Sequence, residues 1–404
     1  VTVAVVPADP ADLAVPAAVG DVPLPRYGTR SLADVVPALV ARLTGGDDAR
    51  ATDLFGDLEA TRVIVLVVDG LGAVQLARVP GVAPTLASLP GTDIDAAFPS
   101  TTASSLASLG TGLPPSQHGL VGYAFPLPDH KHPLGCLGWR IGLRGGGFDA
   151  RELVVPEAMV PAETAFEQAA AAGIATTVVV HPDFPDSGLT RAVLRGGERR
   201  TAVGLEATLD LALGAVTAGD GPALAYTHHP LVDWAGHTDG ACSPAWCDAV
   251  ADVDRLLTAV RATLPPDVAI LVTSDHGMVT VAPDDVVELA EHPALLDGVR
   301  VLAGEPRVRH LALEPDADRD EVAARWQAAL GDQALVCTRD EALPWFGPDP
   351  TARARSHVGD LVVVARTGAI VHERVDPHGG RHTGQHGGPT RAERLVPLRR
   401  LAAL

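Results

Sequence analysis

The chain has 404 residues, 47% of them hydrophobic and 20% charged, and its 50 acidic residues against 31 Lys and Arg give a formal charge of −19. That is too apolar for a disordered chain, and the length suits one large α/β unit with insertions or two to three smaller ones. Such an acidic surface excludes nucleic-acid polymers and anionic membranes as general partners, so a phosphate-bearing ligand would need a strong local cation.

The N-terminus (VTVAVVPADP) has no basic region of a signal peptide, and no run of about 20 apolar residues occurs, so the expectation is a soluble, cytoplasmic protein. Residues 1–60 read as a Pro-rich extension with one helix (SLADVVPALVARLTG). Arg62–Val68 (RVIVLVV) is a continuous apolar, mostly β-branched run, the pattern of a strand buried on both faces. Similar runs recur at Ile174–Val180, Pro222–Thr227, Val268–Thr273 and Asp360–Val364. Helical patterns at Ala103–Leu109, Ala162–Ala172, Leu205–Thr217 and Cys247–Leu264 alternate with them. This alternation predicts an α/β fold with a mainly parallel sheet. Two stretches interrupt it. Residues 123–160 are loop-like and rich in Gly and Pro. Residues 285–355 read helix, strand, helix, strand, a small α+β insertion in a core formed by 61–284 and 356–404. The four cysteines (Cys136, Cys242, Cys247, Cys337) include no Cys-x-x-Cys pair, which argues against a thiolate metal site or a disulfide scaffold.

Ligands of an open α/β sheet bind beyond the carboxyl ends of its strands. Polar residues follow the apolar runs there: Asp69 after the first, Asp233 and His237 after the Pro222–Thr227 run, Asp275 and His276 after Val268–Thr273. Ser100-Thr101-Thr102 opens a helix, and His386 lies in a Gly-rich loop. Each alone is an ordinary cap or loop residue. Together, three Asp and three His form a mixed oxygen and nitrogen donor set sufficient for two divalent metals.

In its motifs VVDGLG, FPSTTASSLASLGTGLPPSQHGLVGY, DWAGHTDG, SDHGM and GQHGG, in that order, the sequence resembles the alkaline phosphatase superfamily, and within it the nucleotide pyrophosphatase/phosphodiesterase branch. The resemblance covers residues 62–280 and 355–400. It implies an alkaline-phosphatase-like fold, a central mostly parallel sheet between helical layers. It further implies one metal on Asp233, His237 and His386, and a second on Asp69, Asp275 and His276. Thr102 would be the nucleophile, itself in contact with the second metal. The two ions would be zinc, with manganese or iron compatible with the same donors. The implied activity is hydrolysis of a phosphodiester or pyrophosphate bond in a small substrate, nucleotides among them, through a phospho-threonine intermediate. No histidine neighbours Thr102 in sequence, so its hydroxyl must be activated by a metal. A helix N-terminus at Thr102 would suit a phosphoryl oxygen.

Several positions carry alternatives. Thr101 is the next candidate nucleophile, and Ser100 reads as a helix cap. Tyr123 stands where this branch has an asparagine that donates to a phosphate oxygen, and is the candidate substrate-binding residue. Arg140 or Arg144 could meet a terminal phosphate. His228 or His229 could support a ligand from behind, and His118 could brace the nucleophile helix. His382 and His378 rival His386. The other activities in view are phosphomonoester or phosphonate hydrolysis, and an inactive metal-dependent module that binds a phosphorylated ligand. A sulfatase is disfavoured, since TTASSL lacks the x-Pro-x-Arg that follows that nucleophile.

Overall fold

The side chains of Arg62–Val68 alternate between two apolar layers. Val63, Val65 and Val67 pack into one core, and Ile64, Leu66 and Val68 into the other. That is why the run has no polar face. In the computed structural model, which describes residues 5–142, 147–376 and 382–403, this strand lies at the middle of a seven-stranded sheet. The order across the sheet is Gly91–Asp95, Leu395–Leu401, Val268–Thr273, Arg62–Val68, Ala223–His229, Ala175–Val180 and Glu198–Thr201. The last five run parallel, while Leu395–Leu401 is antiparallel to both of its neighbours. The sheet is therefore mostly parallel, as expected.

One helical layer includes Leu32–Thr44, Thr102–Thr111 and Ala165–Ala171. The other includes Leu205–Val216 and Pro244–Arg261. Parallel strands in the same register end on the same edge. Val67 pairs with Thr273 on one side and His228 on the other. The residues just past these ends, Asp69, Asp275 and His276, therefore share one crevice with His228.

Three expectations need correction. The strand Leu361–Ala365, placed in the main sheet by its apolar run, is instead an inner strand of a separate four-stranded antiparallel sheet, ordered Val299–Glu305, Val308–Leu313, Leu361–Ala365, Ala334–Thr338. An unbroken apolar run reports burial on both faces, not which sheet supplies the neighbours. The insertion's sheet thus closes only after residue 355. Its first expected helix is absent, and 286–296 forms a short strand and two single-turn 3₁₀ helices. The loop-like stretch 123–160 contains four two-residue strands, Ala124–Phe125, Leu134–Gly135, Arg140–Ile141 and Phe148–Asp149, too short to leave a period in the sequence. Among the described residues, no helix is long and apolar enough to cross a membrane.

Candidate active site

The structure brings the predicted residues into one cluster. Asp69, Asp275 and His276 each offer a donor atom within 4.8 Å of the other two, and so do Asp233, His276 and His386. The first trio is the expected one. In the second, His276 takes the place expected of His237, whose Nε2 lies 3.4 Å from Asp233 Oδ2. His276 is central: its Nε2 is 3.3 Å from Asp69 Oδ1, 3.6 Å from Asp275 Oδ2 and 3.2 Å from Thr102 Oγ1. Its ring stacks on His386 at 3.6 Å between centroids.

The backbone prepares this convergence. Asp233 and His237 are one turn apart on the helix Leu231–Asp239 and so share a face. Gly70 turns the chain after Asp69 at φ +74°, and a Cβ there would lie 2.7 Å from the Asp233 Cα. Only glycine lets the segments that carry Asp69 and Asp233 approach so closely. Thr102 is the first residue of the helix Thr102–Thr111. Thr101 is the N-cap, so Ser100 does not cap the helix. Its hydroxyl instead donates to the Gly388 carbonyl at 2.7 Å, and its N–H donates to Gly387. Ser100 thereby ties the Thr102 turn to the His386 loop.

The donor atoms fit a divalent cation. Nδ1 of each of His237, His276 and His386 faces a backbone carbonyl, on Gly384 at 2.8 Å, Gly277 at 3.0 Å and Ser100 at 3.0 Å. A carbonyl only accepts, so each Nδ1 carries the proton and each Nε2 lone pair is left for another group. Meanwhile Asp69 Oδ1, Asp233 Oδ1 and Asp275 Oδ2 are buried with no hydrogen-bond partner among the described residues. Three unpartnered carboxylate oxygens in one pocket are costly unless a cation meets them. The electrostatics agree. Burial, with the Asp69 charge added, raises Asp275 to about 6 and pushes Asp233 well above the usual carboxylate range. Burial opposes ionisation of Asp69 too, but the hydrogen bond from His228 and the nearby charges of His228 and His276 hold it low. Burial also disfavours a charged His276, yet Asp275 and Asp69 outweigh it and raise the ring to about 10, so in competition with a cation a proton takes the Nε2 lone pair. The pocket calls for positive charge at its centre.

His228 is the supporting histidine that the sequence left undecided against His229. Its Nε2 lies 3.0 Å from Asp69 Oδ2, leaving Oδ1 for the centre. His229 is buried and serves Asp69 only through its carbonyl, which accepts the Asp69 N–H. Removing such a support costs roughly 10–100-fold in metal affinity. His228→Ala is expected to lower zinc retention in that range, measured by competition with a chromogenic chelator, while His229→Ala stays near wild type.

The remaining candidates fall outside the cluster or beside it. His118 braces the helix Thr102–Thr111, with Nε2 3.2 Å from Ser108 Oγ. His382 lies against His237 at 4.5 Å between ring centroids. Arg140 is exposed and donates to the Gly147 carbonyl. Arg144 and His378 lie outside the described residues. Tyr123 is half-buried, and no hydrogen bond or ion pair among the described residues joins it to the cluster. Its N–H donates to Glu305 Oε2 at 2.9 Å. Glu305 carried no signal in the sequence, because it lies in a different sheet with no motif around it.

The model of the type I phosphodiesterase/nucleotide pyrophosphatase family matches residues 63–389. No curated protein matches the chain. Among solved structures, mouse ectonucleotide pyrophosphatase/phosphodiesterase 5 is similar at a TM-score of 0.62 and 20% identity, over 83% of this chain and 87% of that one. An inactive threonine-to-alanine variant of that mouse protein in complex with AMP gives the same values. Phosphonoacetate hydrolase from Sinorhizobium meliloti 1021, in complex with phosphonoformate, is similar at a TM-score of 0.58 and 19% identity, over 87% of this chain and 93% of that one.

Proposed function

The chain belongs to the type I phosphodiesterase/nucleotide pyrophosphatase family of metal-dependent hydrolases, and from that premise we propose that it cleaves a phosphodiester or pyrophosphate bond of a small substrate through a phospho-threonine on Thr102. The observation that carries this reading is the Thr102 hydroxyl 3.2 Å from His276 Nε2, beside three buried carboxylate oxygens without hydrogen-bond partners among the described residues. Asp69, Asp275 and His276 would hold one divalent ion, and Asp233, His237 and His386 the other, with zinc the expected metal. Bound there, the ions would supply Lewis-acid stabilisation of the charge that develops on the phosphoryl oxygens and on the attacking and leaving oxygens.

The chain's own groups do the rest. The first N–H groups of the helix Thr102–Thr111 are free of intrahelical partners and suit a phosphoryl oxygen. Thr102 Oγ1 attacks phosphorus in line. The Oγ1–P bond forms as the hydroxyl gives its proton to solvent and the bond from phosphorus to the leaving oxygen breaks, that oxygen taking a proton from water. Water then attacks phosphorus and loses a proton, the P–Oγ1 bond breaks, and Oγ1 regains a proton to restore the hydroxyl. Tyr123 is the proposed contact to the substrate. His228 holds Asp69 in place throughout.

The mouse structure with AMP supports a nucleotide as substrate. The phosphonoacetate hydrolase supports a second reading, hydrolysis of a phosphonate or a monoester. Parallel assays separate them. A nitrophenyl phosphodiester is expected to give the larger kcat/KM by about 10-fold or more, and a larger value for the monoester would overturn the diester reading. The compartment is proposed to be the cytoplasm, on the ground that all four cysteines are unpaired and buried.

A further inference from the structure

The segment Gly119–Tyr123, which carries the proposed substrate contact, is held by side chains at almost every peptide group. The Gly119 carbonyl accepts from His357 Nδ1 at 2.8 Å. The Leu120 N–H donates to His118 Nδ1 at 3.1 Å, and its carbonyl accepts from Ser104. The Val121 carbonyl accepts from His310 Nε2 at 3.0 Å. The Gly122 carbonyl accepts from Cys136, and the Tyr123 N–H donates to Glu305. The Gly359 N–H donates to His310 Nδ1 at 3.2 Å, so Nε2 must carry the proton given to Val121. Burial lowers His310 to about 4 and His118 to about 3, so both stay neutral as these bonds require.

Three of these side chains, Glu305, His310 and His357, come from the insertion and its flanking helix Ala352–His357. A segment so fully bonded has one conformation to offer a ligand. Glu305 has a second contact. Gly387 follows His386 at φ +122°, and a Cβ there would fall 2.7 Å from Glu305 Cγ. Glu305 is 4% exposed, and its Oε1 has no hydrogen-bond partner among the described residues. It stands as a wedge between the Tyr123 segment and the His386 loop.

We propose that Glu305 is a positioning residue, by which the insertion fixes the Tyr123 segment against the His386 loop and so sets substrate affinity. The idea rests on Tyr123 facing the substrate, and the test separates the two. Misplacement of a positioned group by about 1 Å can cost as much as 100-fold. Glu305→Ala is expected to raise KM for a nitrophenyl phosphodiester by about 10-fold, with bound zinc unchanged and kcat within about 3-fold. Glu305→Gln keeps an oxygen that can accept the Tyr123 N–H and is expected to restore KM. If the alanine variant does not fold, Glu305→Asp, which withdraws the acceptor by one methylene, carries the same expectation. Unchanged KM in Glu305→Ala or Glu305→Asp, or equal damage in Glu305→Gln, overturns the proposal. Tyr123→Ala reports on the other premise. If it leaves KM unchanged while Glu305→Ala raises it, the role of Tyr123 is wrong and Glu305 acts through the His386 loop.

Discussion

Thr102→Ala is expected to lower kcat for a phosphodiester by about 10⁴-fold or more, while zinc content stays at the wild-type level. Loss of a nucleophile in other hydrolases costs about 10⁶, and the residue left over reflects binding and electrostatics alone. Among the described residues Thr102 makes one side-chain hydrogen bond, to His276. It is only partly buried at the start of its helix, so its removal should leave the fold and the donor cluster standing. Thr101→Ala serves as the control, because Thr101 sits at the N-cap with no side-chain cap bond. A wild-type rate in Thr102→Ala, or loss of activity only in Thr101→Ala, would remove Thr102 from the reaction.

Asp275→Asn is the second large effect, and it separates function from stability. Asp275 is fully buried, and burial and Asp69 raise its carboxyl to about 6. A folded-state value above the unfolded one means that the fold disfavours the ionised form. Near neutral pH the ionised group therefore costs stability, a cost that disappears as pH falls through the unfolded value. The metal-free asparagine variant should melt at or above the metal-free wild type. With zinc the order reverses. A ligand at about 100 times its Kd stabilises by about 2.7 kcal/mol, and the variant should gain much less. Turnover should fall by about 10³-fold or more, and a chelator should abolish wild-type turnover until zinc is returned. A variant that binds zinc and turns over normally would take Asp275 out of the site.

Much of this was legible in the chain itself. The apolar runs of Arg62–Val68 and Val268–Thr273 coincide with the strands, since mostly β-branched runs of 7 and 6 residues are too short for a buried helix. The polar residues after them could be placed at one edge because parallel strands end together. Leu361–Ala365 has the same pattern yet lies in the other sheet, because hydrophobicity does not name a partner. The edge pair Gly91–Asp95 and Leu395–Leu401 leaves no strand signal in the sequence, since charged and Pro residues (GTDID, LVPLRRL) blur the period. The donor set was readable from residue types, whereas the sharing of His276 between both trios depends on side-chain directions no spacing encodes. Ser100 looked like a cap because Ser before a helix usually is one. Its actual partner, Gly388, is 288 residues away in sequence.

The phosphoryl group's stereochemistry tests the central claim most directly. Hydrolysis of a diester chiral at phosphorus, with an isotopically labelled water oxygen, reports how many displacements occur. Attack by Thr102 followed by attack by water makes two inversions and predicts net retention. Net inversion would mean that water attacks the substrate in a single step, and would contradict a phospho-threonine on Thr102.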